Sequence, residues 1–313
     1  MTASTRMTQG RTLNIGKLAS IGRHDGGNAV IQLRVQPDEL VKGRFAMKGL
    51  AGRQTALKDW WRDFFKPIVG EVLFIPKAGQ SEIEVGQVIK RSKAQAPLNV
   101  LDLACGVGRH SVAFAKRGFK VTGLDYSKPF LREARRTARK AEQEIRFVHG
   151  NMKNLGSHFA ASEFGLVVSL FNSFGYFGSR RDDFKMLKAV RRVLRPGGAF
   201  VINTLNRDGV ARRLKTPISI GREPLPNVFM IDVARYDVRK RQTVCNWTIV
   251  DARRSKASIF RQSFRQNVYS HAELRRLLIA AGFCIETTWG MLPGGRFNRR
   301  ESWHQTIVAR KRY

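Results

Sequence analysis

Val100-Leu101-Asp102-Leu103-Ala104-Cys105-Gly106-Val107-Gly108-Arg109-His110 decides how the rest of the chain is read. An apolar strand runs into a glycine-punctuated turn, and the turn into a helix carrying Val112, Ala113, Phe114 and Ala115 before Lys116, Arg117 and Gly118. A backbone without Cβ turns tightly and admits a ligand, while the free N–H groups of the following helix point toward it. A small ligand with polar or charged parts belongs at this turn. Asp102, four positions before Gly106, favours an ammonium group there and repels a pyrophosphate. A dinucleotide fingerprint also wants Gly or Ala where Ser111 stands, which disfavours a nicotinamide-dependent dehydrogenase.

Global composition bounds the reading. With 313 residues at 42% hydrophobic, the chain can hold one large α/β domain with additions, or two small ones. No apolar run is long enough to span a membrane. The three cysteines, Cys105, Cys245 and Cys284, are far apart and lack metal-ligand spacing, which reads as reduced thiols in a cytoplasmic protein with no metal site. Lys and Arg total 57 against 24 Asp and Glu, a net charge of +33 spread along the whole chain. Such a field favours anionic partners, RNA or a ribonucleoprotein among them, or reflects a compositional bias toward arginine. Residues 1–30 are rich in Ser, Thr and Gly with scattered Arg and Lys, which reads as a disordered or extended tail. The alternative is a transit segment and a mitochondrial matrix location.

Periodicity supplies the elements. Trp60, Trp61, Phe64 and Phe65 have the spacing of a buried helix face, which Pro67 is expected to end. A second helix is expected over 81–91, with Ser81 and Glu84 as a capping box. Residues 119–125 read as a strand ending in Asp125, an acid able to accept hydrogen bonds from both hydroxyls of a ribose. Ser127 is the expected N-cap of the next helix, and 145–149 the third strand, leading to Gly150-Asn151-Met152. The apolar run from Phe164 reads as a buried parallel strand continuing into Leu170-Phe171-Asn172-Ser173-Phe174-Gly175-Tyr176. Ser179 caps a helix that Arg195-Pro196-Gly197-Gly198 breaks before a fifth strand over 199–203. Three strand-like segments follow at 228–236, 242–251 and 257–269, the last putting Phe260, Phe264 and Val268 on one face. Ser270 and Glu273 then form a capping box for a helix stopped by Gly282, and strands are expected over 283–289 and 303–310.

The opening block resembles motif I of the class I S-adenosylmethionine-dependent methyltransferases, usually an acidic strand end followed by Gly-x-Gly-x-Gly; Ala104 stands in the first glycine position. Asp125, the Gly150-Asn151-Met152 turn, the Leu-Phe-Asn-Ser-Phe-Gly-Tyr segment and Leu-Arg-Pro-Gly-Gly match further motifs of that family, in order, over 98–205. Two positions depart: Asn151 and Gly165 stand where the family usually has an acid.

The resemblance implies an α/β fold, a Rossmann-like seven-stranded sheet with an N-terminal helical segment and an antiparallel β insertion. Its expected divisions are a tail to 57, a helical lid over 58–97, a cofactor-binding core over 98–205, an insertion over 206–270 above the acceptor, and a C-terminal helix and strand pair from 271. It implies S-adenosylmethionine as cofactor, held by Asp102, Ala104, Gly106, Gly108, Asp125, Tyr126, Asn151, Met152, Leu170 and Asn172.

Methyl transfer from a sulfonium is an in-line displacement that chiefly requires alignment, so no catalytic signature is demanded. His110, Tyr176 and Tyr269 are the candidate bases. Neither an Asn-Pro-Pro-Tyr motif after the fourth strand nor a Pro-Cys nucleophile is present, which argues against base methylation of those kinds. The reading is a methyltransferase acting on an O or N of a small molecule. The alternatives are an enzyme acting on RNA or the ribosome, and a non-catalytic relative binding a ribonucleoprotein.

Overall fold

A computed structural model of the protein describes residues 19–23, 29–33, 60–74, 79–254 and 257–312. The chain divides into two compact units: Met1–Arg53 with Pro217–Val233 and Trp247–Arg261, and Gln54–Thr216 with Ala234–Asn246 and Gln262–Tyr313.

The larger unit is built on seven strands: β3 (Asn99–Leu103), β4 (Lys120–Asp125), β5 (Arg146–His149), β6 (Phe164–Ser169), β7 (Leu194–Leu205), β12 (Phe283–Trp289) and β13 (His304–Lys311). Their order in the sheet is β12-β13-β7-β6-β3-β4-β5, with β13 antiparallel to both neighbours and the pairs from β7 to β5 parallel. The apolar runs predicted to be parallel strands are buried on both faces, and their alternation sorts the core. Leu101, Val167, Phe200, Ile202 and Ile307 point to one side, with α6 (Arg180–Val193) and α8 (His271–Ala280). Val100, Leu166, Val168, Val201 and Val308 point to the other, with α3 (Gln80–Ser92) and α4 (Arg109–Ala115). The parallel strands all end on one sheet edge, and the chain leaves β3 toward β4 on one side while β6 lies on the other. That reversal of strand order is where an open α/β sheet forms its ligand crevice.

Several expectations hold residue for residue. Ser127 caps α5 (Lys128–Lys140) by accepting from Phe130 N, Ser179 caps α6 by accepting from Asp182 N, and Ser270 with Glu273 forms the full capping box of α8. Others are corrected. The helix over the aromatics does end before Pro67, but α1 (Trp61–Phe64) is a single turn, and Pro67 also opens α2 (Pro67–Leu73) at its first position, where its missing N–H costs nothing. Ser81 is not the cap of α3, which starts after the left-handed Gly79; its hydroxyl instead accepts from Arg109. Arg195-Pro196-Gly197-Gly198 lies inside β7, because Leu194 already pairs with Phe164 across an irregularity in β6.

The second sheet has the order β1-β2-β8-β9-β10-β11, comprising β1 (Ala19–Arg23), β2 (Ala29–Leu33), β8 (Ile218–Leu225), β9 (Val228–Asp237), β10 (Gln242–Asp251) and β11 (Ser258–Asn267). Of the segment 1–57, expected as tail, β1 and β2 are strands and the remainder lies outside the described residues. β9, β10 and β11 are the three predicted strands, whereas α7 (Arg207–Arg213) and β8 were not expected.

Candidate functional site

The turn after β3 is shaped by three left-handed residues, Ala104 at φ +56°, Gly106 at +57° and Gly108 at +78°. The two glycines serve different ends. A Cβ on Gly106 would lie 3.1 Å from the Phe74 ring, so its bareness keeps a cavity open. A Cβ on Gly108 would lie 3.0 Å from the Ala134 side chain and 3.2 Å from the Phe147 ring, so there the bare backbone lets the turn close on α5. Ala104 holds the same conformation with a side chain, at a cost of about 1 kcal/mol relative to glycine.

Asp102 and Asp125 end β3 and β4, which run side by side, and both are buried. Asp102 accepts from Ser111 Oγ at 2.6 Å, and burial raises its pKa above the usual carboxylate value. Asp125 accepts from the backbone N–H of Gly106 at 2.8 Å through one oxygen and of Ser127 at 2.7 Å through the other. Burial outweighs these bonds and pushes its pKa up to about 6. Two buried acids beside one cavity disfavour a further negative charge and favour a positive one.

That cavity encloses about 920 Å³ of atom-free space, its open mouth included. One side carries Asp102, Ala104, Gly106, Asp125, Tyr126, Asn151 and Met152. The other carries Trp61 and Phe65 from the α1 region, Leu73 and Phe74 from the α2 region, and Leu170, Phe171, Tyr176 and Phe177 from the segment after β6. The rings interlock: Trp61 stands edge-on to Tyr126 at 4.6 Å, and Phe74 packs on Phe130 at 5.6 Å and Phe171 at 6.2 Å. Beside them Trp60 donates to the carbonyl of Arg265 at 3.0 Å and stacks on Tyr176 and Phe264, which ties the first aromatic turn to the end of β11. Trp61 Nε1 is buried and has no hydrogen-bond partner among the described residues.

A charged cluster joins α3 to the turn. Glu84, on α3, accepts from Arg109 Nη1 and lies 2.7 Å from His110 Nε2. Burial alone would raise the Glu84 pKa, but the His110 hydrogen bond and the Arg109 charge bring it down to about 2. Arg109 also donates to Ser81 Oγ at 3.1 Å, and its guanidinium lies 4.8 Å over the Phe171 ring.

The structure thus brings together most, not all, of the residues predicted for the cofactor. Gly108 packs on α5 instead of lining the cavity, and Asn172 is also outside the lining. Asn172 sits at φ +65° directly after the left-handed Phe171, and its amide turns to His304 at 3.0 Å. Asn151 lines the cavity while its Oδ1 accepts from Lys153 N and caps a 3-10 turn, Met152–Ser157. Of the three candidate bases, Tyr269 is buried elsewhere and donates to Asp183 at 2.6 Å. Tyr176 faces the cavity, but burial raises its hydroxyl well above the usual phenol value and keeps it protonated. His110 lines the cavity with Nε2 committed to Glu84. Sequence reasoning missed the Glu84–Arg109–His110 cluster, whose only local signal was the position of Arg109 and His110 directly after the turn.

Residues 100–198 match the family model described as a methyltransferase domain. The putative methyltransferase YqeM of Bacillus subtilis is 34% identical over 104 residues, 33% of this chain and 41% of that protein. Glycine/sarcosine N-methyltransferase of Aphanothece halophytica is 32% identical over 120 residues, 38% of this chain and 45% of that protein. The match spans less than half the length of either relative. A crystal structure of an S-adenosylmethionine-dependent methyltransferase from Clostridium acetobutylicum shares the fold, with a TM-score of 0.66 over 77% of this chain and 94% of that one at 16% identity. Residues 100–198 thus carry a methyltransferase domain, and the fold is the Rossmann-like one of the class I S-adenosylmethionine-dependent methyltransferases.

S-adenosylmethionine is the cofactor of the family, and the residues present fit it. The glycine turn leaves room beside Phe74, two buried acids line a cavity suited to a ligand that carries positive charge, and Trp61 and Arg109, which also line it, each keep a buried donor, Nε1 and Nη2, without a partner among the described residues.

Proposed function

We propose that the protein transfers a methyl group from S-adenosylmethionine to an oxygen or nitrogen of a small-molecule acceptor. The observation that carries this is the pairing of Asp102 and Asp125, buried at the ends of adjacent parallel strands and flanking Gly106 in one cavity. In this reading Asp102 takes the cofactor's ammonium group and Asp125 its ribose hydroxyls. Tyr126, Asn151 and Met152 surround the adenine, and Leu170 borders the transferable methyl.

When bound, the sulfonium supplies an intrinsically reactive methyl group. The chain's own contribution is alignment and exclusion of water, which in-line displacement rewards more than any single base. The aromatic wall of Trp61, Phe65, Phe74, Phe171 and Phe177 keeps that region apolar. Tyr176, held protonated, acts as a hydrogen-bond donor and not as a base. A small acceptor is supported by the relative named for glycine and sarcosine. The non-catalytic alternative rests on the net charge of +33 together with Ala104, Asn151 and Gly165. Ala104 keeps the left-handed turn and Asn151 keeps its place in the lining, while Gly165 lies outside the lining, where a Cβ would collide with Leu98.

Calorimetric titration with S-adenosylmethionine tests the reading, and absence of binding at millimolar ligand overturns it. Asp125→Ala is expected to weaken binding by roughly tenfold or more, the worth of a charge-assisted hydrogen bond. Unchanged affinity would remove Asp125 from the ribose. Release of S-adenosylhomocysteine in the presence of small amines, carboxylates and phenols then identifies the acceptor class.

A further inference from the structure

We propose that a second cavity, at the opposite end of the sheet from the glycine turn, binds a doubly charged phosphate group. Asp102 and Leu170 stand where the parallel strands β3 and β6 reach the first cavity. Leu98 and Gly165, at the other ends of the same strands, line the second one, together with Ser92, Lys93, Arg195 and Arg310. It encloses about 580 Å³ of atom-free space, its open mouth included, and among the described residues lining it there is no Asp or Glu. The two cavities share no lining residue, so the proposal does not rest on the methyl-transfer reading.

The three cations of this wall are not equivalent. Arg310 is committed: Nε and Nη2 donate to the two oxygens of Glu286, Nη1 to the Gly197 carbonyl at 2.9 Å, and Nη2 also to the Ser92 carbonyl at 3.0 Å. Its charge is matched by Glu286, and it takes up two carbonyl oxygens of lining residues, one of them at the C-terminus of α3, whose partial negative charge would oppose an anion. Lys93 and Arg195 are exposed and have no hydrogen bond or ion pair among the described residues. Lys93 is the left-handed C-cap of α3, at φ +56°. The Arg195 side chain lies across Gly165, where a Cβ would sit 3.0 Å from its Nε, so β6 offers the guanidinium no acid. The count leaves two unmatched positive charges on one cavity, which suits a dianion. A phosphate monoester carries about −1.5 to −2 charges at neutral pH. A guanidinium meets it with parallel N–H donors, and an ammonium adds a compact charge. Free phosphate and the phosphate of a small molecule present this same chemistry.

The test is calorimetric titration of the full chain at pH 7.5 and constant ionic strength, with inorganic phosphate, glycerol 3-phosphate and acetate as probes. One saturable phosphate site per chain is expected. Arg195→Gln should weaken it about tenfold or more, the worth of a hydrogen bond between charged groups, and Lys93→Gln by a smaller factor. Both side chains are exposed, so neither variant is expected to disturb folding, which unfolding curves verify. Arg139→Gln removes the same charge from the exposed face of α5 and should leave the affinity within about twofold, since distant exposed charges are screened. Acetate, with a single charge, should bind about tenfold more weakly than phosphate. Tighter binding of glycerol 3-phosphate assigns the cavity to a phosphorylated small molecule, and tighter binding of the free ion assigns it to phosphate itself. Absence of saturable binding overturns the proposal, as does acetate binding as tightly as phosphate. An affinity unchanged by both cavity variants overturns it too. Equal losses in Arg195→Gln and Arg139→Gln would mean an adventitious ion only, gathered by the net charge, and would also overturn it.

Discussion

Asp125 is the residue at which pH acts on this site. Its folded pKa, about 6, lies above the ordinary carboxylate value, so burial disfavours the charged form. Each of its oxygens already accepts a backbone N–H, from Gly106 and from Ser127. A proton on either oxygen turns that acceptor into a donor and sets it against the turn or the ribose. Affinity for S-adenosylmethionine should therefore fall as pH drops below about 6, by at most about tenfold per unit. The free protein has the opposite slope: this carboxylate costs stability above about pH 6, and the cost fades toward pH 4. Titrations at pH 5 to 8 check the binding limb. Asp125→Asn should flatten it, and a wild-type affinity constant across that range would contradict the assignment. Asp102, Gly106 and Asp125 were legible in the sequence because strand, turn and acid are neighbours along the chain. Arg109 was in view but its contacts were not, since Glu84 lies 25 positions upstream and Phe171 is brought beneath its guanidinium only by folding. Asn172 misled for a local reason, as two consecutive left-handed residues turn its amide away from the cavity toward His304.

Among the elements, α3 depends on one carboxylate. The Glu84 side chain is 2% exposed and carries the ionic contacts of Arg109 and His110 to this helix, beside the Arg109 bond to Ser81. Its pKa of about 2 is depressed, so it stabilises the fold above the ordinary value near 4.5, and that contribution is lost as pH falls toward 2. Glu84→Ala leaves the Arg109 guanidinium without its carboxylate, with Ser81 Oγ as its remaining hydrogen-bond partner, and should destabilise by about 3 kcal/mol. Denaturant unfolding measures the loss, and hydrogen exchange should show faster opening of residues 80–92. Unaltered protection there would mean that apolar packing alone holds α3. Elements with a clean period were legible, and the strands of the seven-stranded sheet fell close to their expected bounds except β7, which begins at Leu194. β8 was not, because Gly221 and Pro224 sit inside it and read as breakers. Nor was α7, with Gly209 in its middle; a Cβ there would collide with the Ser302 carbonyl, so packing overrides helix propensity. Pro67 was read only as a stop, although it also opens α2, because a helix start and a helix stop look alike until the next turn is seen.

For the whole molecule, charge is the property that no single contact explains. Twenty-four acids cannot pair with 57 Lys and Arg, and several acids are spent inside the fold, Asp102, Asp125 and Asp183 among them. The ion pairs on the surface do little to offset the excess. Arg136–Glu133 and Lys116–Glu82 join side chains that are 40–60% exposed, and pairs of that kind contribute about 0 to 1 kcal/mol. What remains is mutual repulsion among cations, which destabilises the compact state and is long-ranged at low ionic strength. Raising salt from about 0.01 to 0.1 M shortens the screening length from about 30 to 10 Å and removes most of that repulsion. The Glu84 cluster, being buried, is screened much less. The melting temperature of the free protein should therefore rise with sodium chloride over that range, measured by scanning calorimetry at pH 7.5. Chloride is the appropriate salt, because sulfate or phosphate would add binding to screening. A melting temperature that falls with salt would mean that the surface pairs outweigh the repulsion, and that the excess charge is better balanced in the fold than the composition implies.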